Sequence, residues 1–183
     1  MPHSIPEAAT SRGNVDLLQK RTLALVCSVR CPGNLILRTY DFVSCLGDPS
    51  LTVISGFHSP IEKECLTILL RRKQPLVICP ARSIQTMRIP IEWKEPLKHG
   101  QMLLLSPFND GIRRATEEAA RRRNGLVASL ADEVFVAHAA PGSKTEAFCK
   151  DIIASGKPLL TFESPHIAAL IALGAKPVWT QQE

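Results

Sequence analysis

The chain predicts an α/β fold in a single domain, with one mostly parallel sheet and helices on both faces. Two observations carry this. Short continuous apolar runs alternate with stretches of helical spacing along the whole chain, and glycine or proline stands at most of the boundaries. Hydrophobic residues make up 45% of 183 residues, enough for one substantial core.

Residues 1–20 hold two prolines, a glycine and few apolar residues; they read as a flexible, loosely packed N-terminal arm, leaving 21–183 as the folded domain. Thr22 to Cys27 is a short apolar run, the mark of a strand covered on both faces. Asn34 to Leu46 has helical spacing and ends at Gly47-Asp48-Pro49; Leu51 to Ile54 is the second strand. Ser59-Pro60-Ile61-Glu62 is a capping box with proline at the first helical position, opening a helix to about Lys73. Pro75 to Pro80 is the third strand, Glu92 to Lys98 a short helical piece, and Met102 to Leu105 the fourth strand.

Gly111 to Leu130 reads as one long helix and Glu133 to Ala137 as the fifth strand. Ser143-Lys144-Thr145-Glu146 repeats the capping box and opens a helix ending at Gly156. Pro158 to Phe162 is the sixth strand, Pro165 to Leu173 a helix stopped by Gly174, and Pro177 to Trp179 a last extended piece. This alternation is the pattern of a Rossmann-like sheet, in which ligands bind beyond the carboxyl ends of the strands. The turns Ser28 to Gly33, Ser55 to Ser59 and Pro141 to Thr145 all follow strands, so they are expected on one edge.

The net charge is +5 and unevenly placed. Seven basic residues face two acidic ones between Arg71 and Lys98, and five arginines face Glu117 and Glu118 between Arg113 and Arg123. The remainder is slightly acidic. Clustered arginine fits a polyanionic partner; the plain alternative is a solvated helix face with Glu117 and Glu118 paired to Arg121 and Arg122. No apolar run approaches the roughly 20 residues of a membrane helix, and the start lacks an apolar signal core. The expectation is a cytoplasmic protein without membrane contact. Of six cysteines, no pair has C-x-x-C spacing, which points to buried reduced thiols. Cys27 and Cys31, four apart beside a turn, would need further ligands to hold a metal, and no His pair lies near. No metal and no cofactor is expected.

The Pro141–Thr145 turn would present backbone N–H groups, the Ser143 hydroxyl and the Lys144 ammonium to an anion. It lacks the leading glycine of a P-loop. Arg30 could grip a phosphate bidentately. His58 precedes a helix cap and His138 ends a strand; both are equally readable as plain structural residues. Glu62 and Glu146 are explained as cap partners. No nucleophile–base arrangement emerges from spacing, so no catalytic residue is assigned. Phe57, Phe108 and Trp93 are the candidate stacking groups for a base.

Ser28-Val29-Arg30, Ile54-Ser55-Gly56-Phe57, Arg123-Asn124 through Leu130-Ala131-Asp132, Gly142-Ser143 with Thr145, and Leu170 to Ala175 together resemble the DNA-processing protein A family (DprA, also called Smf). The resemblance covers roughly residues 22–176 in order. It implies a Rossmann-like domain binding single-stranded DNA, acting as a homodimer beside the recombinase RecA. Carried over, Ser28, Arg30, Ser55, Gly56, Arg123, Asn124, Gly142, Ser143, Lys144 and Thr145 would line the DNA or phosphate site. The family's glycine is replaced by Cys27 or displaced by Val29, Gly125 stands where the family has a second arginine, and Glu62-Lys63-Glu64 where it has Gly-Ile-Asp. Pro141 to Glu146 also resembles the lonely-guy phosphoribohydrolases, which act on nucleoside monophosphates and would make Glu146 essential. A non-catalytic nucleotide sensor is the third reading.

Overall fold

The computed structural model describes residues 5–109 and 111–178. Eight strands form one sheet in the order β1-β5-β4-β3-β2-β6-β7-β8: β1 Thr10–Gly13, β2 Arg21–Val26, β3 Leu51–Ser55, β4 Leu76–Ile78, β5 Met102–Ser106, β6 Glu133–Val136, β7 Leu159–Thr161 and β8 Lys176–Pro177. All neighbours are parallel except β1, which runs antiparallel to β5 with Thr10 opposite Ser106 and Gly13 opposite Leu103. The helices are α1 Gly33–Cys45, α2 Pro60–Arg71, α3 Ile91–Lys98, α4 Glu117–Leu130, α5 Lys144–Ala154 and α6 Ala168–Ala172. β3, β4 and β5 are buried along their whole length, as continuous apolar runs in a sheet covered on both faces must be. Among the described residues no helix is long and apolar enough to cross a membrane.

Three expectations are corrected. The segment read as a loose arm packs onto the sheet over much of its length. β1 covers the edge of β5, and a 3-10 turn at Val15–Gln19 buries Leu17 and Leu18 in the main core. Thr52 Oγ1 ties this turn down by donating to the Leu17 carbonyl at 2.9 Å. Gly13 lets the chain cross there: its φ is +115°, and a Cβ would stand 2.3 Å from the Met102 carbonyl oxygen. Low apolar content hid a segment that still buries Leu17 and Leu18.

α4 starts at Glu117, not Gly111. Gly111 has φ +101°, outside the helical region, and Thr116 is the true N-cap, its side chain accepting from the Ala119 N–H. The segment from Pro165 is a 3-10 turn to Ile167 followed by the five residues of α6, with Ser164 accepting from the His166 N–H. The extended piece at the end is seen as β8, and Trp179 lies outside the described residues.

Candidate nucleic-acid interface

β2 lies between β3 and β6, and successive strands build outward from it in opposite directions. The gap between the loops after β2 and β6 is the topological switch point, where α/β sheets open a crevice. The turns after β2, β3 and β6 share this carboxyl edge.

The local chemistry starts at α2. Ser59 caps the helix, with Pro60 fixing the first turn and Glu62 closing the reciprocal capping box. Glu62 reaches further than a cap requires. Its Oε2 accepts from the His58 and Ser59 N–H groups at 2.8 and 3.1 Å, and its Oε1 accepts from the Cys27 N–H at 3.0 Å. One buried carboxylate thus ties the end of β2 to the start of α2.

Above it lies a cavity of about 140 Å³, bounded by Cys27 and Val29, the Ser55–Gly56 turn, His58, Glu62, Arg123 and Asn124 of α4, and Thr145 and Phe148 of α5. Arg123 is only 6% exposed. Its Nη1 donates to the Cys79 carbonyl at 3.3 Å, while Nε is buried with no partner. Burial holds its pKa below the ordinary arginine value, opposed chiefly by the nearby Glu62 charge; an arginine nevertheless stays protonated. Gly56 makes the slot. A Cβ there would stand 0.9 Å from Nη1 and 2.1 Å from Cζ of Arg123. Ser55 shapes the same turn: its hydroxyl donates to the Leu25 carbonyl at 2.7 Å and accepts from the Phe57 N–H, and Phe57 takes a left-handed φ of 46°.

Of the residues expected to line a site, Ser55, Gly56, Arg123, Asn124 and Thr145 meet at this cavity. The other five do not. Ser28 is buried as a staple between the β2 and β6 loops, its N–H donating to the His138 carbonyl and its hydroxyl accepting from the Ala140 N–H. The Arg30 carbonyl receives His138 Nδ1 at 2.9 Å, so that nitrogen carries the proton, and the Arg30 residue itself is exposed. The turn before α5 is engaged by its own neighbours. Gly142 N–H goes to Glu146 Oε2, the Ser143 hydroxyl accepts from the Glu146 N–H, and Lys144 Nζ pairs with Glu117 Oε2 at 2.7 Å. Glu146 accordingly closes no reciprocal box, and it lies outside the cavity. Lys144 borders an adjoining groove between α4 and α5, which shares Asn124 and Phe148 with the cavity.

His58 lines the cavity and is exposed; His138 is buried. Phe57 and Phe108, expected as stacking groups, are interior side chains, with Arg122 lying 4.9 Å over the Phe108 ring. Phe148 was missed, although it follows Thr145 by three residues and so shares its helix face. The Cys79 carbonyl had no signal at all, because a backbone acceptor at a strand end leaves no trace in side-chain pattern.

A family model described as DNA recombination-mediator protein A matches residues 3–181. No curated protein matches the chain by sequence. The structure of DNA processing protein A from Streptococcus pneumoniae superposes with a TM-score of 0.76 at 21% identity, covering 93% of this chain. The chain spans 62% of the length of that protein. DNA processing protein A from Helicobacter pylori, solved for its single-stranded DNA binding mode, gives 0.76 at 17% identity over 97% of this chain and 89% of its own. The molybdenum cofactor carrier protein of Chlamydomonas reinhardtii gives 0.55 at 10% identity, covering 85% of each chain.

Proposed function

We propose that this chain, which belongs to the DNA recombination-mediator protein A family, binds single-stranded DNA through its backbone phosphates at the crevice beyond β2, β3 and β6, and performs no chemistry on it. One observation carries the reading: Arg123 is a buried cation with a donor left unpartnered, held open by Gly56. An unmade bond to a buried donor costs about 1–3 kcal/mol, and more where the group is charged. A phosphate oxygen seated in the cavity would meet the guanidinium with a charge-assisted hydrogen bond. The single-stranded DNA bound by the Helicobacter pylori relative supports the same ligand class.

At this cavity, size and charge favour a phosphate of a longer chain over an enclosed small nucleotide. A pocket that encloses such a ligand runs to about 300–1,000 Å³, whereas this cavity of about 140 Å³ suits a phosphate group of a longer chain. Phosphoribohydrolysis would need a free carboxylate facing the ligand. Glu146 is engaged by Gly142 and Lys150, and Glu62 by three backbone N–H groups. Assistance to the recombinase RecA, action as a homodimer and a cytoplasmic location belong to this same proposal, drawn from the family. Co-sedimentation with RecA filaments and light scattering test the first two.

The central test is a salt titration of binding to fluorescent oligo-dT, with duplex DNA and nucleoside monophosphates as competitors. Affinity should fall steeply as salt rises and resist the monophosphates. Absence of oligonucleotide binding at low salt refutes the reading.

A further inference from the structure

The groove between α4 and α5 that adjoins the phosphate cavity has a volume of about 1100 Å³. That is room for far more than a phosphate, since pockets for whole small ligands run to about 300–1,000 Å³. Its lining decides what it suits. Three carboxylates border it, Glu117, Glu118 and Asp151, against three cations, Arg121, Lys144 and Lys157. These formal charges cancel. Two of the cations are also engaged within the protein: Lys144 pairs with Glu117 at 2.7 Å, and Lys157 Nζ donates to the Ala128 and Ala131 carbonyls. The groove is a poor seat for a second phosphate.

Between the charges the lining is apolar, with Ala128, Ala147 and Ile152 beside the half-buried Phe148. Gly125, standing where the resembling family carries an arginine, leaves the groove open: a Cβ there would meet nothing within 4 Å. Asn124 is half-buried on the border of both spaces, and its side chain makes no hydrogen bond among the described residues. Its amide offers a donor and an acceptor side by side.

We propose that this groove is a nucleobase subsite, taking the base beside the phosphate at Arg123, stacked on Phe148 with its edge on the Asn124 amide. The proposal rests on the phosphate reading above and adds an uncharged contact to it. Continuity fixes the occupant, because Asn124 follows Arg123 directly and Phe148 borders both spaces. A base is neutral and flat, with polar atoms confined to its rim, and so matches a lining whose charges cancel around one aromatic ring. Every base has a π-face, so such a subsite tolerates any sequence. Arg123 then supplies the salt-dependent part of the affinity, and Phe148 a part that salt barely touches.

The test sets the full chain on fluorescent oligo-dT against an abasic deoxyribose-phosphate oligomer of equal length. The phosphates are the same, so the difference reads the bases alone. Wild type should prefer oligo-dT by roughly tenfold, the scale of one stacked base. Phe148→Leu keeps an apolar side chain in place, and Gly125→Leu fills the groove from a position where a Cβ meets no neighbour. Each should lower oligo-dT affinity about fivefold or more, while the abasic affinity and the salt slope stay as in wild type. Asn124→Ala should act in the same selective way, and urea melts check each fold.

Equal affinity of wild type for the two oligomers overturns the base subsite and keeps the phosphate reading. Parallel losses on both oligomers in Phe148→Leu and Gly125→Leu overturn it as well, because they mark a structural effect. If wild type binds neither oligomer, the phosphate reading fails, and thymidine titrated against the Gly125 amide resonance decides the groove. A saturable shift that Phe148→Leu abolishes supports the subsite; no shift overturns it.

Discussion

Gly56→Ala separates the position of the Arg123 charge from its presence. The added Cβ would lie 0.9 Å from Nη1, 2.1 Å from Cζ and 2.9 Å from Nε. Gly56 has no positive φ, so alanine brings no backbone strain and the effect is steric alone. The clash falls on the far end of a flexible side chain, which can swing away. Leaving the slot breaks the bond to the Cys79 carbonyl and crowds the neighbours, but rehydrates a cation. The net loss of stability is therefore small, about 1 kcal/mol. Binding suffers more. A charge-assisted contact to phosphate contributes about 2–3 kcal/mol, which at about 1.4 kcal/mol per tenfold is a loss of roughly 30- to 140-fold. Fluorescence anisotropy on oligo-dT reads the affinity, and a urea melt reads the fold. In an Arg123→Met background the Gly56→Ala change should add no further loss, because its target is gone. A folded Gly56→Ala protein with wild-type affinity would refute the claim that this slot presents the binding cation.

Three further outcomes follow from the same geometry. Arg123→Met should weaken oligo-dT binding at least tenfold and reduce the slope of log affinity against log salt by about one, whereas Lys144→Ala, an exposed residue already paired with Glu117, should change affinity less than about fivefold; equal effects would assign the ligand to the wrong cation. Burial holds the His138 pKa below its ordinary value, so the unfolded chain binds the extra proton first as pH falls below about 6.5. Stability from this residue is full above that pH and lost beneath it, and melts between pH 7 and 5.5 should fall more steeply in wild type than in His138→Asn; parallel slopes contradict the assignment. Ser59→Ala should lower stability by about 1 kcal/mol through loss of the α2 cap, and an unshifted urea midpoint would show that Glu62 alone holds that helix.

What was legible depended on whether a residue's role is written in side-chain pattern. The buried strands and the α2 cap could be read because apolar runs and Ser-x-x-Glu spacing are local signals. β1 could not, since pairing with β5 is set by a partner ninety residues away. At the site, Gly56 and Arg123 could be named from their resemblance to a known family, but their contact could not: it needs α4 laid across the ends of β3 and β4. The Pro141–Thr145 turn misled for the opposite reason. Its residues have the chemistry of an anion site, yet Glu146 accepts from the Gly142 N–H and Glu117 pairs with Lys144.

Glu62 resolves an apparent conflict in the crevice, a carboxylate beneath a cavity proposed to take a phosphate. Had it paired with Arg123, the guanidinium would be neutralised and of little use to a phosphate. Its two oxygens are instead taken by the N–H groups of Cys27, His58 and Ser59. Those three dipoles stabilise the carboxylate where it stands, as backbone donors do for charged acceptors, and they hold the loops after β2 and β3 in register. The negative charge still acts through space, countering the effect of burial on Arg123. So the carboxylate keeps a buried guanidinium tolerable without consuming its donors. Glu62, standing where the family pattern begins Gly-Ile-Asp, thus supports the buried Arg123 cation beside it.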